Sequence, residues 1–292
     1  MAAMLALLFV DGCGARSPLE PGVSPSAGAG SASLPPVIPR GGSAAVQPTP
    51  IDEPRQPPQP PCEAVSLTID ELRPSVTLLV DQSGSMRSGY PSRESGQTRW
   101  QVVRQALLDP MTGVVQSLQQ SIQFALVFYT SHNGFSGGSC PILSEVSAAT
   151  GNYEAIRTLY DASYPDDDTP TGAAVAQVAK NIQAARRKGP EVILLVTDGD
   201  PDTCQQPDPQ DGQAEAVGAV TLAHSLGIEL YVLGVSSDIS GDKLQQLANA
   251  GQGKPVNAVF GVDAAAAEPF QASSSVVGLT AQLSDILARV PL

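Results

Sequence analysis

Hydrophobic positions along the chain fall into two alternating kinds of segment. Short, nearly continuous apolar runs occupy residues 75–81, 122–129, 192–196 and 228–235. Runs such as Val76, Leu78, Leu79 and Val80 are too uniformly apolar for a strand with one wet face, so they predict strands buried on both faces, as in a parallel sheet. Between them, apolar residues recur at helical spacing. Trp100, Val103, Leu107 and Leu108 begin one such series, which is expected to continue through a kink at Pro110 to Val114, Val115 and Leu118. Tyr153, Ile156, Leu159 and Tyr160 mark a small helix, and Val175, Val178, Ala179 and Ile182 a longer one. Further helices are expected at residues 214–226 and 243–250, with Leu279, Leu283, Ile286 and Leu287 closing the chain. Short edge strands are expected at 64–72, 141–146 and 258–262. Strand and helix alternate throughout, which implies βαβ crossovers. The predicted fold class is α/β: a doubly wound, mostly parallel central sheet flanked by helices, with a disordered N-terminal tail.

Composition divides the chain into three. Residues 1–10 are apolar and lead into Asp11, Gly12 and Cys13, which reads as a signal peptide over 1–13 ending in a lipoprotein-like cleavage box, with lipidation at Cys13. A plain signal peptide is the alternative. Residues 14–61 hold 13 of the 26 prolines, with many Gly, Ala and Ser, and are expected to form a disordered linker of polyproline character. Residues 62–292 are the expected folded domain. No later apolar run reaches the roughly 18 residues of a spanning helix, so membrane attachment is expected only through the N-terminal lipid anchor. The net charge of −13 and pI near 4.4 argue against nucleic acid or an anionic membrane surface as partner. Arg186, Arg187 and Lys188 are read as the end of a helix, where basic residues complement the macrodipole. With Cys13 lipidated, Cys62, Cys140 and Cys204 remain; Cys140 and Cys204 both lie in loop-like stretches beside strands and are the expected disulfide.

The chemistry lies where apolar runs end. In VTLLVDQSGSM, Asp81, Ser83 and Ser85 follow a strand at every second position, with Gly84 loosening the backbone between them. A carboxylate and two hydroxyls suit a hard cation, Mg2+, Mn2+ or Ca2+, and not zinc or copper. A second apolar run ends in Thr197, Asp198, Gly199 and Asp200. Between the two lies DDDTPTG, where Thr169 followed by Pro170 reads as a helix cap and first-turn proline. Ligands of such sheets sit beyond the carboxyl ends of the strands, where strand order reverses. If the first and fourth major strands are neighbours, Asp81, Ser83, Ser85, Thr169 and Asp198 converge there. A catalytic serine is not expected, since Ser83 and Ser85 lack a Gly-x-Ser-x-Gly turn and no histidine has a motif near them. His132 is read as a loop residue and His224 as helix surface. Asp200 and Asp202 are read as solvated loop acids, with tuning of the site's charge or a second cation as the alternative; residues 166–168 are read likewise, Asp168 being a candidate outer partner of the site. Trp100 and the tyrosines are read as packing residues.

These three motifs resemble those of the von Willebrand factor type A domain: DQSGS matches its Asp-x-Ser-x-Ser element, DTPTG its threonine loop and VTDGD its second aspartate element, across residues 75–292. The resemblance implies a metal-ion-dependent adhesion site built from Asp81, Ser83, Ser85, Thr169 and Asp198, normally holding Mg2+. It further implies a non-enzymatic binding module whose protein partner supplies an Asp or Glu to complete the metal shell, and the N-terminal segment adds that the module is exported. In some relatives, movement of the metal loops is coupled to the last helix, here around residues 279–290. The alternative is an accessory subunit of a chelatase-like or other enzyme complex. No Gly-x-x-x-x-Gly-Lys loop occurs in the chain, so any ATPase would be a separate polypeptide.

Overall fold

A computed structural model describes residues 72–91, 96–132, 138–205, 211–236, 238–272 and 275–290. The expected signal peptide, the linker, Cys13, Cys62 and nearly all of the strand expected at 64–72 lie outside them. Six strands, β1 (Ser75–Asp81), β2 (Gln123–His132), β3 (Ser139–Ala149), β4 (Glu191–Thr197), β5 (Ile228–Gly234) and β6 (Phe270–Gln271), form one sheet in the order β3-β2-β1-β4-β5-β6. All neighbours run parallel except β3, which returns antiparallel to β2. The helices are α1 (Arg99–Leu108), α2 (Val114–Leu118), α3 (Tyr153–Ala162), α4 (Thr171–Ala185), α5 (Gln213–Ser225), α6 (Gly241–Gly251) and α7 (Val276–Leu287).

The uniform apolarity of the central strands follows from burial on both faces. Every residue of β1 is buried. Its alternate side chains feed two separate cores: Val76, Leu78 and Val80 pack with α1, α2, α3 and α7, whereas Leu79 packs with α4, α5 and α6. This is the doubly wound arrangement that the alternation of strand and helix predicts. On the first face Trp100, Phe128 and Tyr160 form an aromatic triad with ring centroids 4.3–5.0 Å apart, and the Tyr160 hydroxyl donates to the Trp100 carbonyl at 3.0 Å. Trp100 is therefore a core residue. On the second face, Gly172 lets α4 lie directly on α5, since a Cβ there would come within 2.9 Å of the Ala216 nitrogen.

Four boundaries differ from the sequence expectation. The first helical series is two helices, not one kinked helix. Pro110 disfavours helical backbone at the residue before it, and Asp109 instead closes a turn, its carboxylate accepting from the Met111 and Thr112 amides at 2.9 and 2.8 Å. The antiparallel edge strand β3 spans 11 residues and includes Cys140, where a shorter strand beginning at 141 was expected and Cys140 was read as loop. Residues 258–262 are turns: Val259, Phe260 and Val262 are all at least half exposed, and the last strand is β6. Finally, α4 starts at Thr171 and not at the residue after a Thr169 cap.

Cys140 and Cys204 are joined in a disulfide with Cα atoms 5.5 Å apart, closing a loop of 64 residues. It ties the edge strand to the segment that follows β4, at the carboxyl end of the sheet. Loop-closure entropy for a crosslink of this span is worth up to about 4 kcal/mol, and measured values usually fall below this limit. Replacing both cysteines by serine is expected to lower the unfolding free energy by about 2–4 kcal/mol, read from the denaturant midpoint together with a steeper slope as the unfolded chain opens.

Candidate metal centre

β1 and β4 are adjacent and parallel, with Val80 opposite Val196. Chain order leaves β1 for β2 on one side and passes from β4 to β5 on the other, so the two strands flank the point where strand order reverses. Each strand delivers an acid to that point. Asp81 is the last residue of β1 and Asp198 the first beyond β4, and both are 0% exposed.

Neither carboxylate lacks donors. Asp81 Oδ1 accepts from the Ser83 amide and Oδ2 from the Thr197 hydroxyl, each at 2.8 Å. Ser83 Oγ and Ser85 Oγ share a hydrogen bond of 2.9 Å, and Ser85 Oγ donates to Asp198 Oδ1 at 2.6 Å. Ser83 Oγ, Ser85 Oγ and Asp198 Oδ1 thus form a linked row that reaches solvent at Ser85, and the Ser83 amide ties buried Asp81 to it. Asp198 Oδ2 takes the Arg99 guanidinium at 2.7 Å, and the other Arg99 nitrogen binds Asp238 at 2.6 Å.

Thr169 is 2% exposed and sits in the loop before α4. Its amide donates to Asp202 Oδ2 at 3.1 Å, and its carbonyl accepts from the amides of Asp202 and Thr171 at 2.9 and 2.7 Å. Those bonds hold Thr169 beside the segment after Asp198 and explain why it does not cap α4, whose N-cap is Pro170 without a side-chain bond. The threonine loop also docks on the serine loop: the Gly84 amide donates to the Asp167 carbonyl at 2.9 Å and the Asp166 amide to the Gln82 carbonyl at 2.7 Å. The end of β2 supports it from behind. Thr130 donates to the Asp166 carbonyl, Ser131 to Asp168 Oδ2 at 3.1 Å, and His132 Nδ1 lies 2.7 Å from Asp167 Oδ2. Asp167 has a left-handed backbone (φ 62°), a conformation that Asp tolerates better than most residues. His132 is thus the last residue of a strand and not a loop residue. Asp202, read as a solvated loop acid, is 2% exposed, and Asp200 pairs with Lys243 at 2.5 Å.

The electrostatics follow from burial. Desolvation, with the charge of Asp198 as the next contributor, raises the Asp81 pKa from 3.8 to about 7. Burial also raises Asp198, against the lowering effect of its bonds to Ser85 and Arg99. Tyr129 is pushed well above its ordinary value by burial and then by Asp81; its hydroxyl lies 3.2 Å from Thr171 Oγ1 beneath the two strands. Two nearby buried carboxylates with hydroxyls form a donor set for one hard divalent cation. Among the described residues no group of three or more His, Cys, Asp or Glu side chains is arranged to hold a metal. The residues therefore fit a cation of the Mg2+ class and do not fit a His- or Cys-rich site. Two shallow grooves, of about 300 and 340 Å³, lie elsewhere, one between β2, β3 and α4 and one around Arg104 and Tyr153; neither includes these oxygens.

Sequence reasoning missed Thr197, Asp202, Arg99 and Asp238. Thr197 was legible as a hydroxyl at the end of an apolar strand. Arg99 carried a subtler signal, a cation in the first turn of a helix, where the macrodipole disfavours it.

The chain belongs to the von Willebrand factor type A domain family: the family model matches residues 75–271, which include all five oxygen residues singled out above. Among solved structures, the pilus adhesin SpaC from Lactobacillus rhamnosus GG matches with a TM-score of 0.55 at 17% identity, over 75% of this chain and 31% of SpaC. The PilB minor pilin from Streptococcus sanguinis, as its D319A mutant, matches with a TM-score of 0.53 at 15% identity, over 77% of this chain and 62% of PilB. The chain thus spans less than two thirds of each, and the likeness is one of fold. No curated protein matches the chain in sequence.

Because the folded pKa of Asp81 lies above its ordinary value, the stabilising contribution of its protonation is complete below about 3.8 and is lost as pH rises through about 7. The metal-free domain is expected to be less stable at pH 8 than at pH 5, with a slope of at most about 1.4 kcal/mol per pH unit from this group. Asp81→Asn removes that contribution, which urea midpoints measured across the pH range will show as a flatter profile.

Proposed function

We propose that this chain is a non-catalytic, protein-binding module of the adhesion type, displayed outside the cytoplasm, that binds its partner through a divalent cation. The observation that carries the reading is the row of oxygens from Ser83 through Ser85 to Asp198, tied to Asp81 by the Ser83 amide, at the carboxyl ends of β1 and β4 and opening to solvent at Ser85. Asp81, Ser83, Ser85, Thr169 and Asp198 would hold the ion, Mg2+ by preference with Mn2+ or Ca2+ as substitutes, directly or through water. Bound there, the ion supplies a Lewis-acidic point for an anionic oxygen. The chain's own residues do the rest. Asp81, fixed by Thr197 and the Ser83 amide, supplies charge without moving. The two serines bring neutral oxygens to the surface, and the threonine loop braces the rim through Gly84 and Asp202.

A partner of Asp or Glu chemistry completes such a site better than a small substrate, because the exposed end is a point on a loop surface. Pilus proteins are among the structures that share the fold, and attachment of partners outside the cell is one use to which that fold lends itself. In this reading residues 1–13 direct export with lipidation at Cys13, residues 14–61 are the tether, and residues 62–292 the displayed domain.

Magnesium at a hundred times its dissociation constant is expected to raise the unfolding free energy of the domain by about 2.7 kcal/mol. Calorimetric titration of Asp81→Ala is expected to show no binding; equal binding by both proteins would defeat the assignment. Immobilised domain exposed to envelope extract in Mg2+ is expected to retain a partner that EDTA releases. A partner retained equally in both conditions would show that the metal does not bridge them.

A further inference from the structure

Arg99 is the feature that this site carries beyond its oxygen donors. It is the first residue of α1, behind a Thr98 cap whose capping box with Gln101 is fully formed, so the helix start needs nothing from the Arg99 side chain. A cation in the first turn opposes the helix dipole, and a buried guanidinium is costly unless paired. Arg99 is nevertheless 5% exposed, with one nitrogen on Asp198 Oδ2 at 2.7 Å and another on Asp238 Oδ2 at 2.6 Å. The two acids differ in setting. The Asp198 side chain is 0% exposed, whereas that of Asp238, in the loop between β5 and α6, is 40% exposed.

The consequence for charge is direct. Asp198 divides its oxygens, Oδ1 to Ser85 and Oδ2 to a guanidinium that never loses its proton at working pH. An arriving divalent cation therefore meets one carboxylate, Asp81, whose partners are a neutral amide and a neutral hydroxyl, and a second whose charge is already balanced by a guanidinium from within the fold. It is also repelled by a fixed positive charge one residue away. We propose that Arg99 acts as a built-in counter-cation that sets the cation affinity of this centre, with Asp238 restraining it by drawing part of its charge towards solvent. Arg99 is a positioning residue here: it acts on the ion through Asp198 and does not touch it. It weakens retention of the metal and leaves a bound ion with more of its charge for an incoming anionic oxygen. The inference rests on the metal-binding reading above and adds to it a sign that a purely structural brace would not have.

The test is calorimetric titration of the folded domain with Mg2+ alone, and separately with Mn2+, at one fixed ionic strength, for wild type, Arg99→Gln, Arg99→Lys and Asp238→Asn. Even at the dielectric of bulk water a unit charge a few ångströms from a divalent ion changes affinity by about tenfold, so tenfold is the smallest effect expected. Arg99→Gln is expected to bind at least about tenfold more tightly than wild type, Arg99→Lys within about threefold of it, and Asp238→Asn about tenfold more weakly. The metal-free Arg99→Gln protein is expected to melt below wild type, and saturating Mg2+ is expected to raise its melting temperature more than that of wild type. If Arg99→Gln binds equally or more weakly while wild type binds, Arg99 is only a brace, and the inference fails with the metal reading intact. If Arg99→Gln does not fold, Asp238→Asn decides: weaker binding supports the inference and unchanged binding overturns it. Absence of binding in all four proteins would overturn both the inference and the metal reading.

Discussion

Two carboxylates, Asp81 and Asp198, are held out of water at the ends of neighbouring parallel strands, and much of the surrounding structure answers their mutual repulsion. They cannot move apart. The pairing from Ser75 opposite Glu191 to Val80 opposite Val196 is set by side chains that fill a different core on each face. A slip of one residue would exchange the two faces, sending Val80 into the core that now receives Leu79. The hydrophobic register therefore fixes where the charges stand. The chain responds with donors: the Ser83 amide and Thr197 for Asp81, Ser85 and Arg99 for Asp198. Burial that would be ruinous for a bare carboxylate becomes tolerable because each charged oxygen has a partner.

The loops that complete the centre have no such hydrophobic register, and polar bonds hold them instead. Thr130, Ser131 and His132, three consecutive residues at the end of β2, grip Asp166, Asp168 and Asp167 respectively, so a strand end dictates the path of the threonine loop. Asp202 closes the loop on its other side through the Thr169 backbone. The Cys140–Cys204 disulfide then fastens the segment after Asp202 to the edge strand. The tethers from β2 lead from a strand packed in the core to a loop without one, while the Asp202 bonds and the disulfide join the loops to each other and to the edge strand, which is how a rim of polar residues can be kept in one conformation.

What could be read from the sequence follows the same division. Strands buried on both faces and helices with one apolar stripe announce themselves by period, and β1, β4, β5 and α5 lie within one or two residues of expectation. Periodicity failed where polar side chains override it. Asp109 turns the chain between α1 and α2 by accepting two amides, and a helical reading of apolar spacing contains no term for that bond. Residues 258–262 have the composition of a strand, yet the Asp263 carboxylate accepts from the Val259 amide at 2.8 Å and closes a turn. Of the five oxygen residues expected to converge, Asp81, Ser83 and Ser85 stand in one motif and Asp198 directly follows a strand, so their places follow from the apolar runs; Thr169 is placed by loop bonds that no helix start predicts. Asp202, Arg99 and Asp238 were not legible, because their roles depend on contacts across 33, 99 and 139 positions of the chain.

Arg99 shows what kind of sequence signal can reach across such distances. A residue that agrees with its local context, such as Thr98 in its capping box, says nothing about remote structure. One that disagrees does: an arginine against a helix dipole, beside a core tryptophan, must be satisfied by something outside its own helix, and in an acidic chain the partner is a carboxylate. The structure brings to it Asp198, a strand-end acid whose other oxygen takes the Ser85 hydroxyl. Local conflict of this sort is a better guide to a working site than local harmony, because the fold must meet its cost elsewhere. Here it is met at Asp198, whose two oxygens are divided between a hydroxyl and a guanidinium.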